Sequence, residues 1–234
     1  KRYDLREGFD KEYNSVQKDD IDTLINCPHD IIVKNNEITN NGSSGIYSSD
    51  AYKCYVIDNT ISKNGCGGMI LDYGTIGFCL EGNFVDGGGA ADSSGIEMDN
   101  TAYNILKNNI ITNSYFGIKM SRACVRNLIM ENVVNAGENN SFHQYAIEVG
   151  AEAKDDSTEN IDIAPGYENI ICRNSISGNY HSGIFIDKGC YVNDVFDNII
   201  MGAQVFSIEA VSDMFNSIVN NTANTNAVNE YDEN

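Results

Sequence analysis

An asparagine returns about every 23 residues along this chain, and an apolar residue usually follows it two positions later. The series runs Asn36-Glu37-Ile38, Asn59-Thr60-Ile61, Asn83-Phe84-Val85, Asn109-Ile110-Ile111, Asn132-Val133-Val134, Asn174-Ser175-Ile176 and Asn198-Ile199-Ile200, with Asn221-Thr222-Ala223 as a weaker last member. Successive intervals are 23, 24, 26, 23, 42, 24 and 23. Only the fifth breaks the period, and an insertion of about 19 residues accounts for it. A fixed period of this length marks a solenoid. Each unit is too short, and too rich in Gly, Asn and β-branched residues, for a helix pair. It suits one coil of a parallel β-helix, stacked at roughly 4.8 Å per coil.

A second repeat lies inside the first. About nine residues after each asparagine come Gly45-Ile46-Tyr47-Ser48, Gly68-Met69-Ile70-Leu71, Gly95-Ile96-Glu97-Met98, Gly117-Ile118-Lys119-Met120, Ala146-Ile147-Glu148-Val149, Gly183-Ile184-Phe185-Ile186 and Ser207-Ile208-Glu209-Ala210. Side chains alternate along a strand, so the first and third residues after the small one share a face. Those columns are mostly apolar and point inward. The column between them, Tyr47, Ile70, Glu97, Lys119, Glu148, Phe185 and Glu209, points outward. A slip of one residue would bury its charges, so the register is well specified. The asparagines themselves read as a turn ladder, because Asn tolerates unusual backbone angles and its amide can bond the equivalent Asn one coil away.

These patterns predict an all-β, right-handed parallel β-helix of about seven to eight coils over residues 29–221. Residues 1–28 read as a cap or partial coil, and 222–234 as a polar acidic tail. A stacked sheet leaves unpaired backbone at its ends. The tail would cover its end poorly, which predicts a homo-oligomer or a longer parent chain. Fifteen Lys and Arg against 34 Asp and Glu give a formal net charge of −19. Nucleic acid and anionic membrane both need a basic footprint and are excluded as partners. No apolar run reaches the length of a membrane span. Seven cysteines form no CxxC pair, and Cys124 and Cys190 fall two coils apart, beyond disulfide reach. They read as reduced core residues.

The doubled motif N-x-I with G-I-x-[IMLV], seven times over residues 29–210, resembles the pectin lyase-like superfamily of right-handed parallel β-helices. That resemblance implies an extracellular or secreted protein (or one on a virion surface) acting on a polysaccharide in a groove on the outer surface. Cys27-Pro28-His29-Asp30 is similar to the D-P-H motif of alginate epimerases, with Cys where that family has a carboxylate. The superfamily also holds lyases that use Ca²⁺ and non-catalytic adhesion, spike and scaffold modules. Both stand as alternatives to a glycoside hydrolase or transferase.

Loop length breaks the repeat in one region, where the long loops would wall both sides of the outward face of coils three to five. Connections lengthen at 87–92, at 137–143 and at 150–168, the last carrying Asp155, Asp156, Glu159 and Asp162. Long loops of a solenoid map to functional faces. The outward face of coils three to five is therefore the candidate site. Its catalytic candidates are Asp99 and Glu97, supported by Asp72 and Glu148, with Lys119 stabilising developing negative charge. Asp72 and Asp99 occupy equivalent positions on adjacent coils, roughly 5 Å apart. That spacing predicts a shared proton, a bound cation or a retaining-glycosidase pair. Arg122, His143, Tyr145, His181 and Phe185 are candidates for holding substrate. No cofactor is required, and no Cys/His cluster has zinc spacing. Ca²⁺ is possible at Asp72 and Asp99, or in the acidic loop.

Overall fold

The computed structural model describes residues 27–88, 92–137, 143–151, 165–211 and 215–223, together with the backbone of 228–230. Among these, 24 short strands build three parallel sheets of eight strands each. Every coil contributes one strand to each sheet, and each strand pairs with its counterparts one coil before and after. Coil three, for example, consists of strands Cys79–Glu81, Phe84–Asp86 and Ser94–Met98. The third sheet, made by the Gly-Ile repeat, has the longest strands, reaching seven residues at His143–Val149 and Tyr180–Ile186. Among the described residues there is no helix, hence none able to cross a membrane.

The predicted register is the observed one. Ile96, Ile118, Ile147 and Ile184 pair in line and are fully buried. The second inward column, Leu71, Met98, Met120, Val149 and Ile186, is also fully buried. Leu106, Ile129 and Val195 of the first sheet and Ile111, Val134 and Ile200 of the second complete one continuous core.

The corner between the first two sheets shows why the asparagine recurs. The residue before each ladder asparagine (Asn35, Asp58, Gly82, Asn108, Glu131, Arg173, Asp197, Asn220) has φ between 53° and 67°. That left-handed conformation costs roughly 1–2 kcal/mol for most residues. It turns the chain so that the next asparagine points inward, where its amide bonds its equivalents along the axis. Asn109 Nδ2 donates to Asn132 Oδ1 at 2.9 Å, and Asn132 Nδ2 donates to Asn174 Oδ1 at 3.0 Å. A second ladder, absent from the sequence reading, runs through Asn104, Asn127, Asn169, Asn193 and Asn216 at the entrance to the first sheet.

The small residue of the Gly-Ile repeat has an equally local cause. A Cβ on Gly68, Gly95, Gly117 or Gly183 would lie 2.2, 2.3, 2.4 or 2.5 Å from Val85, Ile111, Val134 or Ile200. At this position the third sheet turns in against the second, and no room remains for a side chain.

The expected cap at 1–28 lies almost wholly outside the described residues. So do the acidic loop with Asp155, Asp156, Glu159 and Asp162, and residues 89–91 and 138–142 of the two lengthened connections that precede the third-sheet strands of coils three and five.

Candidate functional site

The outward face of the third sheet carries the column Ile70, Glu97, Lys119, Glu148, Phe185 and Glu209 in unbroken register. Beside it, Ser94, Phe116, Tyr145, Ser182 and Phe206 form a second column. The face is thus a ribbon of carboxylates and aromatic rings, with Lys119 between Glu97 and Glu148.

The carboxylates differ in what holds them. Glu97 is half-buried and accepts hydrogen bonds from Ser94 Oγ and Ser121 Oγ, both at 3.4 Å. Glu148 is only 7% exposed despite its outward position. Glu209 accepts a 2.5 Å hydrogen bond from Ser182 Oγ, and His181 Nδ1 lies 3.0 Å from that hydroxyl and 3.7 Å from the carboxylate. This Glu209–Ser182–His181 group was missed by sequence reasoning except for His181. Its sequence signal, a serine and a glutamate in facing outward columns, is too common on a sheet to stand out.

Asp72 and Asp99 occupy the equivalent positions expected of them, but their side chains turn to different partners. Asp72 accepts from Tyr47 OH at 2.6 Å and from the Tyr73 amide at 2.9 Å. Asp99 is gripped at both oxygens by Arg122, whose guanidinium also reaches Tyr73 OH at 2.8 Å and lies over the Tyr73 ring. Arg122 is therefore part of the face's framework, and it supplies at Asp99 the charge that a cation would have supplied.

The aromatic candidates are brought together, with one exception. Tyr145 and Phe185 stack with centroids 4.1 Å apart and planes at 6°, and His181 meets Tyr145 edge-on. Tyr145 and Phe185 each have a ring face covered by the other. Burial pushes the Tyr145 phenol up; Gln144 pulls it back, and the negative charges of Glu209, Glu148 and Asp187 raise it further. Lys119 Nζ sits 4.9 Å from the centre of the Phe116 ring. His143 is the exception: it is buried inside the helix, with Nδ1 bonded to the Ser114 carbonyl at 2.8 Å, and does not reach the outer face.

With this architecture in view, two family models match. "Right handed beta helix region" covers residues 90–223, and "Periplasmic copper-binding protein (NosD)" covers residues 9–146. The chain belongs to the right-handed β-helix family. Among solved structures, this β-helix is similar to the A-module of the mannuronan C-5 epimerase AlgE6 from Azotobacter vinelandii. The TM-score is 0.61 and the identity 12%, over 85% of this chain and 59% of that one. An alginate lyase from Paenibacillus sp. str. FPU-7 aligns with TM-score 0.49 and 14% identity, over 80% of this chain and 75% of that one. The β-helix thus spans little more than half of the epimerase module, and the likeness is one of fold. No curated protein matches the chain.

A copper centre draws on clustered His, Cys or Met. Among the described residues, no three of His, Cys, Asp and Glu come together closely enough to hold a metal ion. The cysteines are free, and four of the seven are buried. The described residues thus offer copper no cluster of His, Cys or carboxylate ligands.

Proposed function

We propose that this β-helix acts on a neutral polysaccharide laid across the outward face of its third sheet, as a glycoside hydrolase or transferase. One observation carries the reading: Glu97 and Glu148 flank Lys119 in register, and Glu148 is nearly buried where periodicity would leave it in water. In this reading the carboxyl shielded from water donates the proton and its more accessible partner serves as base. Glu148 is the acid in this reading and Glu97 the base. Their backbones are two coils apart, roughly 9–10 Å. That suits the wider spacing of an inverting pair, about 6.5–9.5 Å between carboxyls, rather than a retaining one. Lys119 steadies negative charge on Glu97, Tyr145 and His181 line the path of the sugar, and Phe185 backs the Tyr145 ring.

The preference for a neutral glycan follows from charge. Asp187 and Glu209 add to the two glutamates, and Arg122 is spent on Asp99, so a uronate polymer would meet repulsion. Ca²⁺ has no part in the reading, because Asp72 and Asp99 already have partners. A secreted or periplasmic location fits a polymer outside the cell.

The test is a glycan screen that reads reducing ends, unsaturated uronate and C-5 inversion together, repeated with Glu148→Gln and Glu97→Gln. New reducing ends from a neutral glycan, lost in both variants, are expected. Unsaturated ends or epimerised uronate would replace this reading with a lyase or epimerase. Binding without turnover would make the face a lectin-like surface, and neither binding nor turnover would leave a scaffold.

A further inference from the structure

Inside the helix, where the second sheet turns into the third, three polar atoms lack a protein partner: Ser114 Oγ, His143 Nε2 and Tyr180 OH. Their residues are at most 1% exposed and belong to coils four, five and six. His143 Nδ1 meets the Ser114 carbonyl at 2.8 Å. A carbonyl only accepts, so Nδ1 carries a proton, and in the neutral ring Nε2 is an acceptor that needs a donor. The His143 and Tyr180 rings meet edge to face at 5.5 Å, and their backbones pair directly. Burial drives the Tyr180 phenol upward, and the Ser114 hydroxyl is near enough to offset part of that rise. Yet no pair of these atoms reaches hydrogen-bond geometry. Buried polar groups without a protein partner are commonly bridged by water, whereas each left unsatisfied costs on the order of 1–3 kcal/mol.

We propose that Ser114, His143 and Tyr180 enclose one buried water molecule, bound as a structural ligand. The water donates to His143 Nε2 and to Ser114 Oγ, and accepts from Tyr180 OH. Three partners are typical for internal water. The site also has a position that matters. His143 and Tyr180 open the two longest strands, whose next outward residues are Tyr145 and His181–Ser182 on the candidate face. The water thereby pins the start of both strands and sets where those side chains emerge. This holds whatever the face binds.

A crystal structure of the chain at a resolution that shows solvent tests the site. One peak within about 2.6–3.2 Å of all three atoms is expected. A dry site, or side chains bonded directly to one another, would overturn the proposal. Thermal melting of Tyr180→Phe and Ser114→Ala gives an independent sign. If water bridges the three atoms, each variant leaves it under-bonded and the melting temperature falls by roughly 2–4 °C. If the hydroxyls are orphans, removing either leaves the melting temperature unchanged or higher, and the proposal fails.

Discussion

Arg122 on the fourth coil holds Asp99 on the third in a forked pair, Nε donating to Oδ1 at 2.9 Å and Nη2 to Oδ2, with Tyr73 of the second coil bonded to the same Nη2. Three coils are joined by one guanidinium. Both partners are mostly buried, at 18% and 14% side-chain exposure. The pair therefore contributes more than a surface ion pair and less than a fully buried one.

Asp99→Asn is expected to cost about 1–3 kcal/mol, because Arg122 loses its countercharge while keeping its place. Turnover of any glycan substrate should stay within a few-fold of the unmodified protein. Melting and activity measured on the same preparation decide it. A large loss of turnover with unchanged melting would make Asp99 a catalytic residue.

The asparagine ladder should show a gradient from its middle to its end. Asn132 Oδ1 accepts from both the amide and Nδ2 of Asn109, and its Nδ2 donates to the Leu106 carbonyl and to Asn174 Oδ1. Asn132→Ala would strand all of these groups in a fully buried corner, at on the order of 3–5 kcal/mol. Asn36 stands at the exposed end of the ladder, and Asn36→Ala should cost less than about 1 kcal/mol. Equal losses in urea melts would mean that the ladder is not the corner's main support.

Coil period, strand register and the inward isoleucine column were legible because each repeats in every coil, so one misfit residue cannot hide the pattern. The second asparagine ladder was not. Cys54 and Phe78 hold its positions in coils two and three, so no unbroken series announces it. Side-chain partners on the face were less legible still. Asp72 and Asp99 share a register position, yet one turns back to Tyr47 and the other forward to Arg122. Strand alternation says which way a residue leaves the sheet and nothing about what covers it. For that reason Glu148 and Phe185, rightly placed as outward, came out buried.

Gly117 and Gly42 should respond very differently to the same change. A Cβ on Gly117 would sit 2.4 Å from both the Ala146 carbonyl oxygen and Val134 Cγ1, whereas one on Gly42 would meet nothing within 4 Å. Gly117→Ala is expected to destabilise by about 1–3 kcal/mol through overpacking. Gly42→Ala should fall within about 0.5 kcal/mol of the parent. Denaturant midpoints of the two variants measured side by side are sufficient.

If the face is catalytic as proposed, Glu148→Gln should lower kcat by about 10²–10⁴ with little change in KM, since it removes a proton donor and keeps the shape. A change confined to KM would assign Glu148 to binding.

The buried thiols predict how stability responds to alkali. Burial pushes Cys124 and Cys190 up to about 12 from an ordinary 9.0, Thr101 offsetting part of this at Cys124. Folding therefore holds these protons where the unfolded chain releases them. A group raised on folding contributes fully below its unfolded value and loses that contribution as pH climbs toward its folded one. Stability should thus be level below pH 9 and fall between 9 and 12, by on the order of 1 kcal/mol per thiol for each pH unit. Tyr180, raised by burial, adds to the fall at the upper end. Cys66 is exposed and should label within minutes at pH 8, while Cys124 and Cys190 label only at the rate of unfolding. Cys124→Ala combined with Cys190→Ala should flatten the slope. A slope unchanged in that double variant would place the alkaline loss elsewhere.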